Sequence, residues 1–305
     1  MNKRRLGTSN LYVSEVGLGC MSIGTDEEKA KSILDEAIDL GINYFDTADL
    51  YHYGLNEQFI GKAMKHVRHK MILATKVGNR FEQGKEGWDW DPSKEYIKEA
   101  VKRSLLRLQT DYIDLYQLHG GTIEDNIEET IEAFEELTKE GVIRYYGISS
   151  IRPNVIKEYL EHSNIVSIMM QFNLLDRRPE EWFELIQKHN VSVIARGPLA
   201  KGLLTERPLA QASDKIKENG YSHYSFSDLR ETLEKIDKAC PTHTRTEIAL
   251  HYCLSHNVVG AVIPGASHVQ QVRANVQAAK SQPLTQEEID TLKQVTKQAI
   301  YTNHR

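Results

Sequence analysis

Two short apolar runs, "MILATK" at residues 71–76 and "IDLYQLH" at residues 113–119, decide the fold of this chain. Both runs are nearly continuous in apolar character, which is typical of strands buried on both faces of a parallel sheet. The segment between them carries one apolar stripe at helical spacing, formed by Ile97, Ala100, Val101, Leu105 and Leu108. The region 71–119 therefore predicts a β–α–β unit with two parallel strands.

The same alternation of apolar run, loop and helical stretch extends along the chain in both directions. Six further runs have the length and composition of buried strands: 16–19, 43–46, 145–149, 166–171, 191–195 and 261–264. Eight alternations in about 250 residues are what a (β/α)₈ barrel requires. A doubly wound sheet is the rival fold, but no G-x-G-x-x-G motif follows the first run.

Additional segments are predicted around this α/β barrel. Residues 4–16 indicate a small β-hairpin before the first strand, and residues 284–300 indicate a C-terminal helix. Residues 198–225 are predicted to form a long polar loop. Thr25 and Glu28 have the spacing of a capping box. Because no linker or shift in composition interrupts the pattern, we expect residues 1–305 to form a single (β/α)₈ TIM barrel domain.

Charge and composition exclude several classes of protein. The 305 residues include 38 Lys and Arg and 43 Asp and Glu, a net charge of −5 without a concentrated basic patch, which disfavours nucleic-acid binding. No run of eighteen apolar residues predicts a membrane span, and no apolar segment follows the basic start. The three isolated cysteines, Cys20, Cys240 and Cys253, indicate reduced thiols in a cytoplasmic protein and no metal site.

Four polar side chains are predicted to converge where strands end. Asp46, Lys76 and His119 stand at the carboxyl ends of the second, third and fourth predicted strands, and Tyr51 follows in the loop after the second. The active sites of this barrel class lie at that end. Since neighbouring strands are only about 4.8 Å apart, these groups should meet on one side of the barrel mouth.

The chemistry of this set favours proton donation to an oxygen atom. A free tyrosine and a free lysine have pKa values of about 10 and 10.4. An ammonium group beside a phenol stabilises the phenolate, so Lys76 would make Tyr51 a better acid, and Asp46 would hold Lys76 charged. Taken singly, Asp46 is more often a helix cap and Tyr51 a packed ring, but their joint appearance favours general acid catalysis.

Several segments in order resemble the aldo-keto reductases. "FDTADLY" (45–51), "LATK" (73–76) and "LYQLHG" (115–120) resemble the Asp–Tyr–Lys–His tetrad of that family. Further resemblance is found in "YYGISS" (145–150), "QFNLLDR" (171–177), "PLAKGLLT" (198–205) and "VIPGASHVQQVRANVQAA" (262–279). The resemblance covers essentially the whole chain and is greatest to the bacterial branch related to the potassium-channel β-subunits.

This resemblance implies a barrel that binds NADP(H) without a Rossmann domain and reduces aldehydes or ketones. Tyr51 would donate the proton, Lys76 and Asp46 would adjust the acidity of Tyr51, and His119 would orient the substrate. The cofactor-binding positions implied are Gly19, Met21, Asp46, Ser149, Gln171, Arg196, Gly197, Pro198, Leu199, Gly265, Ser267, Gln271 and Asn275. Of these, Ser149 and Gln171 match the positions that hold the nicotinamide carboxamide.

This chain departs from the family pattern at three places. Ser150 stands where many relatives carry Asn, and Arg196 stands where an aromatic side chain commonly stacks on the nicotinamide. Arg196 can stack on a flat ring or clamp an anion. At the adenosine-phosphate end the chain offers Ser267, His268 and Gln271, with Arg273 nearby, so the preference for NADP over NAD rests on the resemblance.

Three functions remain open from the sequence. The first is a soluble NADP-dependent carbonyl reductase acting on a small-molecule substrate as a monomer or weak homo-oligomer. The second is a nucleotide-binding module that senses redox state with little turnover. The third is an aldolase that uses Lys76 to form a Schiff base, which the pairing with Asp46 disfavours because the attacking amine must be neutral.

Overall fold

The computed structural model describes residues 1–82 and 84–305. The chain begins with the predicted hairpin, in which β1 (Lys3–Arg5) pairs antiparallel with β2 (Tyr12–Ser14). Gly7 in its turn has φ +50°, and a Cβ there would lie 2.4 Å from the carbonyl oxygen of Val166. The hairpin therefore packs directly against the amino-terminal end of the barrel, where only glycine fits.

Eight parallel strands form a single sheet that nearly closes into a barrel. In chain order they are β3 (Leu18–Gly19), β4 (Tyr44–Asp46), β5 (Ile72–Val77), β8 (Ile113–Leu118), β9 (Ile143–Ser149), β10 (Ser167–Gln171), β11 (Ser192–Arg196) and β12 (Val259–Ile263). The first and last of these strands are joined by Gly17, whose N–H donates to Val262 O, and by Gly19, whose N–H donates to Pro264 O. All eight predicted strands are confirmed, and His119 lies just beyond the end of its strand.

A second small hairpin follows β5 on the same side as the strand ends. It consists of β6 (Asn79–Arg80) and β7 (Asp89–Trp90). The helices that surround the barrel are α1 (Glu27–Asp39), α2 (Leu55–Met64), α3 (Lys94–Leu108), α4 (Ile127–Lys139), α5 (Pro153–His162), α6 (Phe183–Lys188), α7 (Asp214–Asn219), α8 (Phe226–Ala239), α9 (Arg245–Leu254), α10 (Val269–Lys280) and α11 (Gln286–Val295).

Two local predictions need correction. Helix α1 is capped by Asp26, whose side chain accepts from the Lys29 N–H at 3.0 Å, and the box of Thr25 and Glu28 does not form. An Asp side chain caps at least as well as Thr, and its charge also favours the positive end of the helix dipole. The predicted C-terminal helix ends early, at Val295.

The segment 198–225 is more ordered than the polar loop predicted for it. It contains short 3₁₀ turns at Ala200–Gly202 and Leu209–Gln211 and the helix α7. Buried side chains hold it to the barrel, among them Leu204 and Tyr221. These anchors are scattered among polar residues without a helical or strand period, so the pattern gave no signal of order.

The hydrophobic core has two parts. Between the sheet and the helices lies a large layer in which the α1 stripe of Ala30, Ile33 and Leu34 is fully buried. Inside the barrel a smaller cluster joins residues of the strands to Leu6 and Leu11 of the first hairpin. The hairpin thus plugs the amino-terminal end, and the carboxyl ends of the strands form the accessible face. Among the described residues, no helix has both the length and the apolar character needed to cross a bilayer.

Candidate active site

The carboxyl ends of β4 and β5 place an ion pair inside the mouth of the barrel. Asp46 is the last residue of β4, and Lys76 is the last but one of β5. Their residues are 2% and 1% exposed. Lys76 Nζ donates to Asp46 Oδ1 at 2.5 Å and to the carbonyl oxygen of Thr47 at 2.6 Å. Its remaining partner is Tyr51, whose Oη lies 3.5 Å away.

The charges of this pair are fixed by burial and by each other. Burial opposes the ammonium of Lys76, but Asp46 and Tyr51 together outweigh it and the pKa of Lys76 is raised. Burial raises the pKa of Asp46, partly offset by Lys76 and by the amide of Gln117. An ammonium with a raised pKa is a poor nucleophile, so the geometry disfavours the Schiff-base aldolase. It suits a cation that stabilises a phenolate.

The loop that carries Tyr51 has an unusual backbone. Tyr51 begins a 3₁₀ turn, after which His52, Tyr53 and Gly54 have φ of +49°, +54° and +87°. A Cβ on Gly54 would lie 2.6 Å from the side chain of Arg107, so this residue must be glycine. Two successive non-glycine residues in the left-handed region are strained, and such strain is typically held at functional sites.

A buried network beneath that loop holds it in place. Glu57, in the first turn of α2, accepts from Arg107 Nε at 2.6 Å and from Thr75 Oγ1 at 2.6 Å. Thr75 precedes Lys76 on β5, and Arg107 passes under Gly54. The network therefore ties the strand that carries the lysine to the loop that carries the tyrosine.

His119 faces the tyrosine ring as a neutral imidazole. The ring centroids of His119 and Tyr51 are 5.9 Å apart with the planes at 83°. Burial, followed by the charges of Lys76 and Arg196, lowers the pKa of His119 to about 3. Its Nδ1 is buried and has no hydrogen-bond partner among the described residues. His119 is therefore suited to donating or accepting one hydrogen bond and unsuited to acting as a charged acid at neutral pH.

The lowered pKa of His119 predicts a loss of stability in acid. Unfolded histidine binds a proton below about pH 6.5 and the folded imidazole only below about 3, so the unfolded state gains protons first as the pH falls. Between pH 7 and pH 5 this linkage removes about 2 kcal/mol of unfolding free energy. We expect His119→Gln to abolish that part of the pH dependence, measured by urea unfolding at both pH values.

The exposed His66 provides the control for that experiment, because His66→Gln leaves the buried imidazole of His119 in place and should keep the pH dependence assigned to it. Equal slopes of stability against pH in the native protein and in His119→Gln would contradict the assignment of a neutral, buried imidazole.

Three further predicted residues end neighbouring strands on the other side of the mouth. Ser149 ends β9, Gln171 ends β10 and Arg196 ends β11. Gln171 and Arg196 are paired in register, and Arg196 Nη1 donates to Gln171 Oε1 at 3.3 Å. Arg196 also influences the pKa values of Asp46 and His119, which places its charge at the same mouth.

The turn after β11 exposes backbone to the mouth. Gly197 has φ +63° and Gly202 has φ +87°, and apart from its chain neighbours no described residue has an atom within 4 Å of the position a Cβ would take on either. Pro198 and Leu199 lie between them. Backbone that is both left-handed and uncovered is suited to close approach by a ligand.

The predicted phosphate end lies around the start of α10. Gly265 forms a parallel bridge with Gly19, and a Cβ on Gly265 would lie 2.6 Å from Ser22 Oγ. The side chain of the N-cap residue His268 makes no capping hydrogen bond. Among the described residues the N-cap side chain therefore leaves the positive end of the α10 dipole uncapped, which suits an anion.

Of the other residues predicted for this end, two are hydrogen-bonded to each other. Ser267 N–H donates to Gln271 Oε1 at 2.7 Å. Asn275 is 4% exposed and makes no side-chain hydrogen bond with any residue that the structure describes. Met21 is 60% exposed on the turn that follows Gly19. Since Gly19 pairs with Asp46 on one side and Gly265 on the other, it links the predicted phosphate end to the predicted tetrad.

Comparison with known proteins identifies the family. A family model described as "Aldo/keto reductase family" matches residues 15–297. Over 305 residues the chain is 65% identical to the uncharacterized oxidoreductase YqkF of Bacillus subtilis (strain 168), covering 100% of both. This chain belongs to the aldo/keto reductase family. Its members are oxidoreductases that use nicotinamide cofactors.

Two other comparisons extend over nearly the full chain. Among solved structures, aldo-keto reductase AKR11C1 from Bacillus halodurans in its holo form gives a TM-score of 0.96 at 64% identity, covering 100% of this chain and 99% of that chain. The NADH-specific methylglyoxal reductase of Escherichia coli (strain K12) is 30% identical over 91% of this chain and 93% of the relative. The family and the barrel predicted from the sequence are thus confirmed.

The structure of this aldo-keto reductase also reveals a site residue that the sequence analysis missed. Gln117 is fully buried on β8 and donates from Nε2 to Asp46 Oδ2 at 3.0 Å. With Lys76 on the other oxygen, both oxygens of the carboxylate are held. Its position in the sequence could have indicated this role. Gln117 precedes His119 by two residues, and side chains two apart along an extended chain point to the same side.

Proposed function

We propose that this protein is an NADP(H)-dependent reductase of aldehydes or ketones. The observation that carries the proposal is the position of the Tyr51 hydroxyl, 3.5 Å from an ammonium that is itself buried against Asp46. A phenol beside a fixed cation is an acid able to protonate an oxygen that becomes an alkoxide. Hydrogen bonds of this kind are often long without substrate and shorten in the reacting complex.

In this mechanism each member of the tetrad has one task. Tyr51 gives its proton to the carbonyl oxygen, and Lys76 stabilises the phenolate that remains. Asp46 keeps Lys76 charged and in place. His119, which is neutral, donates a hydrogen bond to the same oxygen and orients it. When bound, the nicotinamide supplies the hydride for the carbonyl carbon.

The residues around the mouth fit a nicotinamide nucleotide. Ser149 and Gln171 would hold its carboxamide, and the uncovered backbone at Gly197 would let it approach closely. The phosphates would lie toward Gly265 and the start of α10, where the helix dipole favours anions. We also propose that residues 1–305 act as one catalytic unit.

The distinction between NADP(H) and NAD(H) is proposed to depend on Arg273. Its guanidinium forms two hydrogen bonds with Glu36, at 2.7 and 2.9 Å, and the arginine side chain is 62% exposed. An exposed ion pair of this kind contributes little to stability, so Arg273 can exchange it for a 2′-phosphate at little cost.

We therefore expect Arg273→Gln to weaken NADPH binding about tenfold and to leave NADH binding within about twofold, because only NADPH loses a charge-assisted hydrogen bond to its 2′-phosphate. Fluorescence titration with each nucleotide measures this. Arg245→Gln is the matched control, since Arg245 forms a similar two-bond pair with Asp237 elsewhere on the surface. Equal weakening of both nucleotides, or preference of the native chain for NADH, would contradict the assignment.

The function itself is tested by turnover. After the titration, NADPH oxidation is followed with a panel of carbonyl compounds that includes 4-nitrobenzaldehyde. Steady turnover supports the reductase. Tight binding without turnover on the whole panel favours the nucleotide-binding module instead, and failure to bind either nucleotide overturns both.

A further inference from the structure

Gln171 is held at both ends of its side-chain amide. Its Nε2 donates to Asp176 Oδ2 at 2.8 Å, and its Oε1 accepts from Arg196 Nη1 at 3.3 Å. A side-chain amide can present either end to a ligand by rotating 180°, and the two orientations have the same shape. The neighbours of Gln171 therefore determine which end faces the mouth.

The chemistry of those two neighbours leaves only one orientation. An ionised carboxylate is an acceptor only, so Asp176 can bond the NH₂ end of Gln171 and repels its oxygen. A guanidinium is a donor only, so Arg196 can bond the oxygen and repels the NH₂ end. Both contacts select the same orientation. The second lone pair of Oε1 then remains available for an N–H group of a ligand.

Asp176 is itself fixed more firmly than Gln171. It is 1% exposed, and Arg178 grips both of its oxygens, with Nε on Oδ1 and Nη2 on Oδ2 at 2.7 Å each. The ring centroid of Tyr301, in the tail after α11, lies 5.0 Å from the Arg178 guanidinium. A bidentate arginine–carboxylate pair of this kind fixes the direction of the carboxylate as well as its charge.

The backbone around Asp176 is tied to the same mouth. Asn173 and Asp176 exchange backbone hydrogen bonds across a tight turn. The Asn173 side chain is fully buried and donates to the carbonyl oxygen of Gly197 and to Tyr221 Oη, both at 2.9 Å. The turn that carries Asp176 is thus attached to the glycine that follows Arg196, so the acceptor and the donor that hold Gln171 are linked to each other.

We propose that Asp176, clamped by Arg178, is a positioning residue that fixes the amide of Gln171 with its oxygen toward the mouth, so that the site recognises the NH₂ group of the nicotinamide carboxamide. This inference rests on the proposed function, because it requires a nicotinamide nucleotide beside Gln171. It assigns a role to a buried carboxylate that touches neither substrate nor cofactor.

The test compares binding of the oxidised cofactor with binding of its 3-acetylpyridine analogue, in which a methyl group replaces the carboxamide NH₂. Calorimetric titration measures both affinities without any turnover. We expect the native protein to bind the nicotinamide form about five- to tenfold more tightly, the effect of one hydrogen bond. In Asp176→Asn the amide of Gln171 is oriented only by Arg196, because an Asn side chain can bond either end of it, and this ratio should fall at least twofold.

Asp114→Asn is the matched control. Asp114 is also 1% exposed and held by two arginines, Arg68 at 2.8 Å and Arg144 at 2.9 Å, but it lies near the amino-terminal end of the barrel. The Asp114→Asn substitution should destabilise the protein to a similar extent and leave the ratio of the two cofactor affinities at its native value. If Asp176→Asn does not fold, Arg178→Lys serves instead. Lysine keeps the positive charge but cannot bond both oxygens of Asp176 as the guanidinium does. The ratio of the two cofactor affinities should then fall at least twofold.

The outcomes are distinct from those that test the proposed function. A native protein that binds neither form overturns the proposed function itself. A native protein that binds both forms equally, or a ratio that stays at its native value in Asp176→Asn or its substitute, overturns this inference and leaves the reductase proposal intact. A fall of the ratio in Asp114→Asn as large as in Asp176→Asn also overturns it, because the effect would then follow from lost stability alone.

Discussion

Tyr51→Phe should reduce the rate of carbonyl reduction by about 10²- to 10⁴-fold, which is the usual contribution of a positioned general acid. The substitution removes only the hydroxyl and keeps the ring that packs against His119. Cofactor binding should therefore be unchanged. The rate is measured as kcat with 4-nitrobenzaldehyde and NADPH, and the affinity by fluorescence titration of the same samples.

Tyr53→Phe is the control for that experiment. Tyr53 lies two residues further along the same strained turn, and its hydroxyl accepts from the Gly87 N–H at 3.2 Å. If loss of a hydroxyl merely loosened the turn, both substitutions would lower the rate. A rate for Tyr51→Phe within tenfold of native would mean that another group delivers the proton.

Lys76→Met should lower both catalysis and stability. Without the ammonium, the phenolate left when Tyr51 gives its proton to the substrate has no neighbouring cation, so the rate should fall at least about 10²-fold. The carboxylate of Asp46, 2% exposed, also loses its ionic partner. Removing one member of a buried ion pair typically costs 3–5 kcal/mol, because the remaining charge is left uncompensated. Urea unfolding and kcat measure the two losses separately.

The double substitution Lys76→Met with Asp46→Asn distinguishes these effects. Removing the second charge should restore a large part of the lost stability, since no unpaired ion remains in the interior. It should restore none of the rate. Recovery of activity in the double variant would show that Lys76 matters only as the partner of Asp46. A single Lys76→Met variant as stable as native would contradict the buried charged pair.

The sequence predicted the fold because its signals are local and repeated. Each buried strand is a short apolar run, and each helix carries a stripe such as that of Ile97 to Leu108, which the structure largely buries. The tetrad could be predicted for a related reason. In a parallel barrel all strands end at the same face, so Asp46, Lys76 and His119 are brought together by topology alone.

Contacts that depend on side-chain direction gave no such signal. The sequence places Gln171 at a strand end but does not show that Asp176 and Arg196 hold opposite ends of its amide. Nor does it show that Arg273 is engaged by Glu36, which lies 237 positions earlier in the chain. These pairs join residues with no periodic relation to each other, and only packing brings them within hydrogen-bond distance.

The sequence by itself thus determined the barrel, the order of its strands and the face on which polar residues gather, because strand and helix periods repeat along the chain. Only the tertiary structure decided the ionic state and direction of those residues. The depth at which Lys76 and Asp46 lie, the neutral state of His119 and the orientation of the Gln171 amide all follow from burial and distance. Burial and distance are properties of the packed interior, and no linear pattern contains them.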